Sequence, residues 1–402
     1  MSWANLSTSY LDKEFSMANA AFFRFPPFEL PPEAEAIRPK IREFMQEELP
    51  KFGDRYRGRT WSGYNSEFSR KMGEAGYLGM VWPKKYGGHE RTALERYVVL
   101  EETLTADAPT GAHWIGDRQS GPLLLKFGTE EQRLNYLPRV ARGEIFFCIG
   151  MSEPDSGSDL ASVRTKAEKV DGGYVVNGRK VWTSNASNCD YMIGLFRTAT
   201  DENDRHKGLT QFIVDLKNSA GISIQPIPDL TRSSHFNEVT FSDVFVPDSA
   251  LVGKLGNGWS QVSAELVYER SGPERILSSY ALIKGLVDRV GPNPDRLQRI
   301  AIGKLVSQLV TLRRMSISIA GMLQEGSNPL LEASVVKDQG ALFEQSIPHI
   351  VRGIVEIEPM VDSGDGFAEL LAFLTQITPS FSMRGGTREI LRGIIARGLG
   401  LR

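Results

Sequence analysis

The chain has 402 residues, with 47 basic and 49 acidic side chains and a net charge of −2. A dedicated nucleic-acid-binding protein normally carries a clustered positive excess, so this balance argues against one. The two cysteines, Cys148 and Cys189, form no CxxC pair, which argues against a disulfide scaffold or a cysteine-based zinc site and fits a reducing cytoplasm.

The predicted elements change character twice along the chain. Residues 28–147 show the helical spacing of apolar residues, and Thr129 and Gln132 stand in capping-box positions. Residues 148–254 are rich in strand signals, including a DGG turn between the alternating runs of VRTKAEKVDGGYVVNGRKVWTS. Helical patterns return over 255–402. An order of helices, strands and helices argues against a doubly wound α/β nucleotide-binding domain.

The N-terminal residues, the lack of a long apolar run and the absence of common motifs argue against other classes of protein. Residues 1–27 lack the basic and then apolar order of a signal peptide, so we expect a poorly ordered or partner-docking extension. No run approaches the roughly 20 apolar residues of a membrane span, so we expect a cytoplasmic protein. Walker, Rossmann and serine-hydrolase motifs are absent, and the five histidines are scattered, so no metal site is predicted.

Three stretches could form a ligand site. The small and hydroxyl residues of MSEPDSGSD (151–159) let a backbone approach a ligand, although they also suit an ordinary linker. In NGRKVWTSN, Trp182 beside hydroxyl residues suits an aromatic cofactor, or is a core tryptophan on a strand. The stretch SFSMRGGTREILRGIIARGLG opens a basic helix with glycines, as anion sites do, but no reactive side chain precedes its loop.

The chain resembles the acyl-CoA dehydrogenase family. The resemblance lies in these three motifs together with VFVPDSALVGKLGNGW and FGTEEQRLNYLPRVARGE, and it follows the family's order of domains. The resemblance runs from about Phe28 to the C-terminus. It implies an α+β multidomain fold: an N-terminal α-helical domain (28–147), a central β-barrel (148–254) and a C-terminal four-helix bundle (255–402). It also implies non-covalent FAD, an acyl-CoA substrate and transfer of electrons to an electron-transferring flavoprotein.

The resemblance assigns roles to single positions. The positions that match FAD-binding residues are Met151, Ser152, Trp182, Ser184, Gly386, Thr387 and Glu389. Ser152 matches the hydroxyl that bonds the flavin pyrimidine, and Ser184 matches the one near flavin N5. The positions assigned to the thioester ligand are Ser158, Arg270, Arg384 and Gly385.

The general base is not where many family members carry it. In those members a glutamate directly precedes the Gly-Thr of the C-terminal loop, and Gly385 stands there in this chain. A second branch of the family places the glutamate before an arginine on the first helix of the C-terminal bundle, which matches Glu269 and Arg270. The residues support this independently, because Glu269 continues the apolar stripe of Trp259, Val262 and Leu266. A surface Glu269 in a helical charge pair is the alternative.

Departures from the family pattern leave other questions open. DRVGPNPDRLQR stands where the family carries an R-x-x-F-G motif that contacts FAD across the dimer, which leaves FAD binding by a homo-oligomer open. The resemblance implies a homodimer or homotetramer, or a hetero-oligomer with a related subunit, as in some bacterial members with similarly shortened C-terminal regions. Arg384, where an aromatic residue is common, either meets a polar or anionic acyl tail or is a solvated charge at a helix end. A flavin monooxygenase or N-hydroxylase on the same fold, and a non-catalytic subunit of a hetero-oligomer, remain as alternative functions.

Overall fold

The structure is a computed structural model that describes residues 23–53, 57–201 and 203–401, without the side chains of residues 266–269 and 271. Most of the predicted N-terminal extension, residues 1–22, therefore lies outside the described residues. Residues 23–31 form neither helix nor strand, and the ring of Phe28 packs against the backbone at Gly321.

The first part of the described chain is helical, as predicted. Its helices are α1 (Pro32–Glu35), α2 (Arg38–Glu48), α3 (Ser66–Glu74), α4 (Ala93–Thr105), α5 (Gly121–Phe127) and α6 (Glu130–Ala141). The predicted capping box of Thr129 and Gln132 begins α6, with both reciprocal hydrogen bonds present. Between α4 and α5 the chain forms a π-helical turn, Gly116–Ser120, which is buried throughout.

The middle of the chain is a single curled sheet of seven strands. The strands are β1 (Phe147–Gly150), β2 (Lys166–Val170), β3 (Gly173–Ser184), β4 (Tyr191–Arg197), β5 (Leu209–Asp215), β6 (Ile222–Ile227) and β7 (Phe236–Pro247). Their order is β1-β4-β2-β3-β7-β6, and β5 pairs with the other side of β4. The predicted DGG hairpin is the antiparallel pair β2–β3.

Helices form the last part of the chain, again as predicted. They are α7 (Gly258–Ser271), α8 (Tyr280–Val290), α9 (Arg296–Gln324), α10 (Leu330–Ile354), α11 (Gly366–Ile377) and α12 (Arg388–Gly398). Leu282, Leu305, Ile347 and Leu371, none of them exposed, lie at the centre of their packing. No helix among the described residues combines the length and apolar character needed to cross a bilayer.

A sharp corner ends α7 two residues after Glu269. Gly272 is extended (φ −81°, ψ 167°), and a 3₁₀ turn, Pro273–Arg275, follows it. Proline lacks a backbone N–H and fixes its own φ, so the α-helix cannot continue through this point. Arg118 of the π-helical turn donates to the Glu274 carboxylate at 2.5 Å, and both side chains are buried. This ion pair ties the N-terminal helices to the corner.

Two glycines inside helices test how tightly the elements pack. Helix propensity alone predicts that Gly→Ala stabilises a helix interior by about 1 kcal/mol. In α3, however, a Cβ added at Gly73 would lie 2.4 Å from the Arg142 carbonyl carbon, whereas one added at Gly303 of α9 meets nothing within 4 Å. We expect Gly73→Ala to lower the melting temperature and Gly303→Ala to raise it slightly. Equal shifts in thermal unfolding would contradict the packing of α3 on the chain at Arg142.

Candidate functional site

Trp182 occupies an extra position in strand β3. Lys180 pairs with Val239 and Thr183 with Asn237, so three steps on β3 match two steps on β7, which defines a β-bulge. Trp182 has φ +60°, which is rare for a bulky residue and marks local backbone strain. Its side chain is 58% exposed and touches the Phe236 ring edge-on at a centroid distance of 5.9 Å. The predicted alternative of a core tryptophan is therefore wrong.

The loop that begins at Met151 is fastened to the same stretch of β3. The backbone N–H of Val181 donates to the Ser152 carbonyl at 2.9 Å, and Lys180 Nζ donates to the Met151 carbonyl at 3.1 Å. The two predicted cofactor-binding stretches, 151–152 and 182–184, are thus adjacent. Ser184 is half-buried at the end of β3.

Glu153 is the centre of this attachment, and the sequence analysis did not identify it. Its buried carboxylate accepts from the backbone N–H groups of Arg164 and Thr165 at 2.7 and 2.9 Å, and from Lys180 Nζ at 2.8 Å. Lys180 is not exposed at all, and burial lowers its pKa to about 8 although Glu153 opposes the shift. A signal was available, because Lys180 stands at an inward position of an alternating strand.

Helix α7 packs on this loop. Val262 is buried with Val163, and the partly buried side chains of Met151 and Trp259 pack against the same cluster. The stripe predicted on α7 is therefore apolar and faces the sheet at these two positions. Glu269 lies two turns further along α7, and the structure does not describe its side chain. The choice between base and surface residue stays a prediction.

The C-terminal glycine loop meets the end of α7. Gly385 and Gly386 have φ +72° and +96°, a conformation that side chains with a Cβ rarely adopt. Arg270, 2% exposed, donates from Nε to the Gly385 carbonyl at 3.0 Å. A Cβ at Gly386 would come within 3.0 Å of Arg270 Nη2. Arg270 and the loop, assigned separately from the sequence, are thus in direct contact.

The loop leads into the N-terminus of α12. Thr387 is its N-cap, and the hydroxyl oxygen accepts from Ile390 N at 3.4 Å. Glu389 is exposed in the first turn, where the helix dipole stabilises anions. Arg388 does not face the loop, since it pairs with Asp338 at 2.7 Å.

Arg384 is not a solvated charge, so that alternative is wrong. Its Nη2 donates to Glu344 at 2.7 Å and to the Ser278 hydroxyl at 2.9 Å. The guanidinium carbon lies 3.8 Å from the centroid of the Phe381 ring. The side chain is only 15% exposed, because partners in the bundle surround it. Its contact with an acyl tail stays a prediction.

A row of aromatic rings connects the two halves of the site. Phe236, which contacts Trp182, lies 6.4 Å from the Trp61 ring, and Trp61 lies 6.3 Å from Phe381, in the turn before the glycine loop. His235 packs edge-on against Trp61 at 5.1 Å. Sequence reasoning missed Trp61, since nothing in its local pattern separates it from an ordinary core residue.

Ser158 lies apart from these contacts. It is exposed in the loop after Glu153, beside Asp159, which pairs with Arg205. Its assignment to the thioester ligand stays a prediction. No group of three or more potential metal ligands exists among the described residues.

The residues present fit a flat aromatic cofactor with an anionic tail. Trp182 offers an exposed indole face on a strained bulge next to the hydroxyl of Ser184. The two positive-φ glycines open a helix N-terminus, which is a favourable place for a diphosphate. A helical domain, a curled sheet and a helical bundle that meet at such a site define a flavoprotein oxidoreductase.

Comparisons with known proteins agree with this class. Family models described as the acyl-CoA dehydrogenase N-terminal domain and middle domain match residues 31–144 and 148–244. The chain therefore belongs to the acyl-CoA dehydrogenase family.

Individual relatives extend the match to most of the chain. Acyl-CoA dehydrogenase IpdE1 of Mycobacterium tuberculosis is 30% identical over 92% of this chain and 98% of its own length. Acyl-CoA dehydrogenase FadE34 of the same organism is 34% identical over 82% of this chain, which spans 45% of that longer protein. The solved structure of the Tcur3481-Tcur3483 steroid ACAD superposes with a TM-score of 0.82 at 28% identity, covering 93% of this chain and 99% of the other.

The attachment of the 151–153 loop can be tested by removing one charge. Glu153→Gln leaves Lys180 buried without its anion, and breaking a buried ion pair in this way costs about 3–5 kcal/mol. Asp248→Asn removes the partner of Lys169 at the surface of the same sheet, which costs about 0–1 kcal/mol. We expect a large fall in melting temperature for the first variant and almost none for the second. Similar shifts would show that the buried pair does not hold the loop.

His235 predicts a loss of stability in acid. Burial lowers its pKa to about 4, although Asp229 favours the protonated form. An unfolded histidine titrates near pH 6.5. Between roughly pH 6.5 and 4 the unfolded chain therefore binds a proton that the folded chain does not, and the free energy of unfolding decreases as the pH is lowered. We expect His235→Gln to lose less stability than the parent between pH 7 and 5 in thermal melts. His206→Gln, at an exposed histidine, should leave the parent profile unchanged.

Proposed function

We propose that the protein is an FAD-dependent dehydrogenase that oxidises the Cα–Cβ bond of an acyl-CoA thioester, with Glu269 as the general base. The observation that carries this proposal is the hydrogen bond from Arg270 to the Gly385 carbonyl, at 3.0 Å. Through it, the backbone of the helix that bears Glu269 adjoins the loop from which many family members project their base. With glycine at position 385, the base can come from α7 instead.

The chain's own residues account for the proton and for the charge that develops. The Glu269 carboxylate takes the α-proton, and the electron pair of that C–H bond, whose charge the thioester carbonyl delocalises, forms the Cα–Cβ double bond as hydride leaves the β-carbon. A backbone N–H of the loop near Gly385 polarises that carbonyl, as the weak acidity of an α-proton requires. FAD, when bound, supplies the acceptor for the hydride that leaves the β-carbon. A Cα–Cβ double bond is the product.

The cofactor residues fall into two groups in this proposal. Met151, Ser152, Trp182 and Ser184 on the sheet side hold the flavin ring, because the bulge presents the indole beside backbone and hydroxyl groups. Gly386 and Thr387 hold the diphosphate at the start of α12, where the N-terminus of the helix favours an anion. The Glu389 carboxylate suits the ribityl hydroxyls, since it accepts hydrogen bonds and would repel phosphate.

Partners and substrate class remain part of the proposal. We propose that an electron-transferring flavoprotein reoxidises the enzyme, and that the chain assembles with itself or with a related subunit. The steroid ACAD that superposes on this chain is named for two proteins, Tcur3481 and Tcur3483, which supports a hetero-oligomer. Steroid-derived thioesters therefore belong in any acyl-CoA panel. If the protein is colourless when expressed alone and yellow when coexpressed with a related chain, it needs a heteromeric partner.

The decisive experiment is anaerobic reduction of the bound flavin. We expect Glu269→Gln to bind FAD and acyl-CoA but to bleach about 10²–10⁴-fold more slowly, because the base that takes the α-proton is gone. Glu265→Gln, one turn earlier on α7, removes a buried carboxylate that accepts from Gln211 at 3.0 Å. That control should cost stability and leave bleaching fast. A Glu269→Gln protein that bleaches at the parent rate would remove the proposed mechanism.

A further inference from the structure

The outer side of the first half of helix α9 is uncovered within the described chain. The second half is packed, since Ile317 is buried and the ring of Phe28 lies against Gly321. In the first half, the aliphatic side chains that are between 46 and 68% exposed, and that together form the α9 surface, are Leu297, Ile300, Val306 and Val310. A Cβ added at Gly303, among them, would meet nothing within 4 Å. Exposed apolar side chains grouped in this way mark an interaction surface, whereas single ones do not.

The α9 surface is also basic. Helix α9 contains five cationic residues and no aspartate or glutamate. Arg313 is neutralised by Glu101. The four that are exposed and form no ion pair within the described chain are Arg296, Arg299, Lys304 and Arg314. An apolar surface with an uncompensated positive charge is complementary to a partner surface that is apolar and acidic.

An acidic loop lies at the end of the bundle where α9 begins. Gln298, in the first turn of α9, donates from Nε2 to the Ile354 carbonyl at 3.2 Å, so the chain leaves α10 beside this turn. Ile357 then packs against the core of the bundle. The exposed residues that define the acidic loop are Glu356, Glu358, Met360, Val361 and Asp362. None of its three carboxylates forms an ion pair with a residue that the structure describes. Each protomer therefore presents a basic and an acidic surface next to each other, both with exposed apolar side chains.

We propose that a second copy of this chain covers the α9 surface, with the acidic loop of each copy against the basic residues of α9 in the other. A two-fold axis forms every contact twice, so a surface binds its own copy only when it carries both members of each contact. This protomer carries both, whereas a partner without the same pair of surfaces would leave one of the two signs uncompensated. The inference rests on the proposed function only in that the chain assembles, and it decides between a second copy and a related subunit at this surface.

The dimensions of α9 suit an antiparallel pair of helices. From Arg296 to Arg314 the helix rises about 27 Å, at 1.5 Å per residue. In an antiparallel pair, the first turn of one helix and the acidic loop beside it therefore lie near Arg314 of the other. The residues with the alternating spacing of three and four by which one helix face meets another are Ile300, Gly303, Ser307 and Val310. Gly303 and Ser307 are small and lie near the middle, so the two backbones can approach closely.

Charge reversal on one side at a time, and then on both, tests this contact. We expect the parent to self-associate at micromolar concentration in sedimentation velocity. The variants Arg299→Glu/Arg314→Glu and Glu356→Lys/Glu358→Lys should each raise the dissociation constant by about tenfold or more, because like charges then face one another between the two copies. Combining all four changes restores opposite charges, so the dissociation constant should return toward the parent value.

A matched control makes the same change in net charge elsewhere. Lys40→Glu/Arg70→Glu reverses two exposed cations of α2 and α3 and should leave the dissociation constant at the parent value. All of the reversed side chains are exposed, so each variant should keep the far-ultraviolet circular dichroism spectrum of the parent. A fourfold variant that associates as weakly as either pair would overturn the charge argument, and so would an assembly that neither pair weakens.

The outcomes separate this inference from the dehydrogenase proposal. A parent that stays monomeric overturns the inference, and if it associates only with a coexpressed related chain, that chain and not a second copy covers the α9 surface. Flavin bleaching by an acyl-CoA in such a monomeric or heteromeric protein leaves the dehydrogenase proposal intact. A protein that self-associates as expected, yet whose flavin no acyl-CoA bleaches, overturns the proposed reaction alone.

Discussion

The hydrogen bond between Arg270 and the Gly385 carbonyl is the contact on which the candidate site depends. It joins residues 115 positions apart, one at the end of α7 and one in the loop before α12. Arg270 is almost fully buried, so its cation needs nearby acceptors, and the positive φ of Gly385 and Gly386 gives the loop its tight course. The corner after α7 and the loop therefore share one rigid boundary, and a ligand between them meets groups whose positions are already fixed.

Buried ion pairs join the elements from which the candidate site is built. Arg118–Glu274 links the N-terminal helices to the corner, Arg384–Glu344 links the loop to α10, and Lys180–Glu153 links the 151–153 loop to β3. Such pairs add little net stability over apolar packing, because both charges must be desolvated, but losing one partner is severely destabilising. Their effect is to fix geometry: each tolerates one arrangement of its two elements and penalises others.

The sequence predicted the elements well and the partners of their charged residues poorly. The helix, strand and helix order, the β2–β3 hairpin and the capping box of α6 depend on local patterns, and the structure contains all three. The local sequence does not exclude a solvated Arg384, because its partner, Glu344, lies 40 residues away on helix α10. Glu153 was quoted within its motif and overlooked, since only the folded sheet brings Lys180 to it. Contacts of this range depend on how helices and sheet pack, which a single sequence does not encode locally.

The strained bulge at Trp182 has a consequence for the evolution of the protein. A positive φ costs a bulky residue of order 1–3 kcal/mol, which the surrounding sheet must offset. Glycine at this position would relax the backbone but remove the exposed indole that forms one wall of the site. Selection for thermostability alone, in a directed-evolution library or in a hot habitat, would therefore favour loss of the ring. If a heat-adapted lineage keeps tryptophan at the bulge, selection for ligand binding there has outweighed the gain in folding stability that glycine would give.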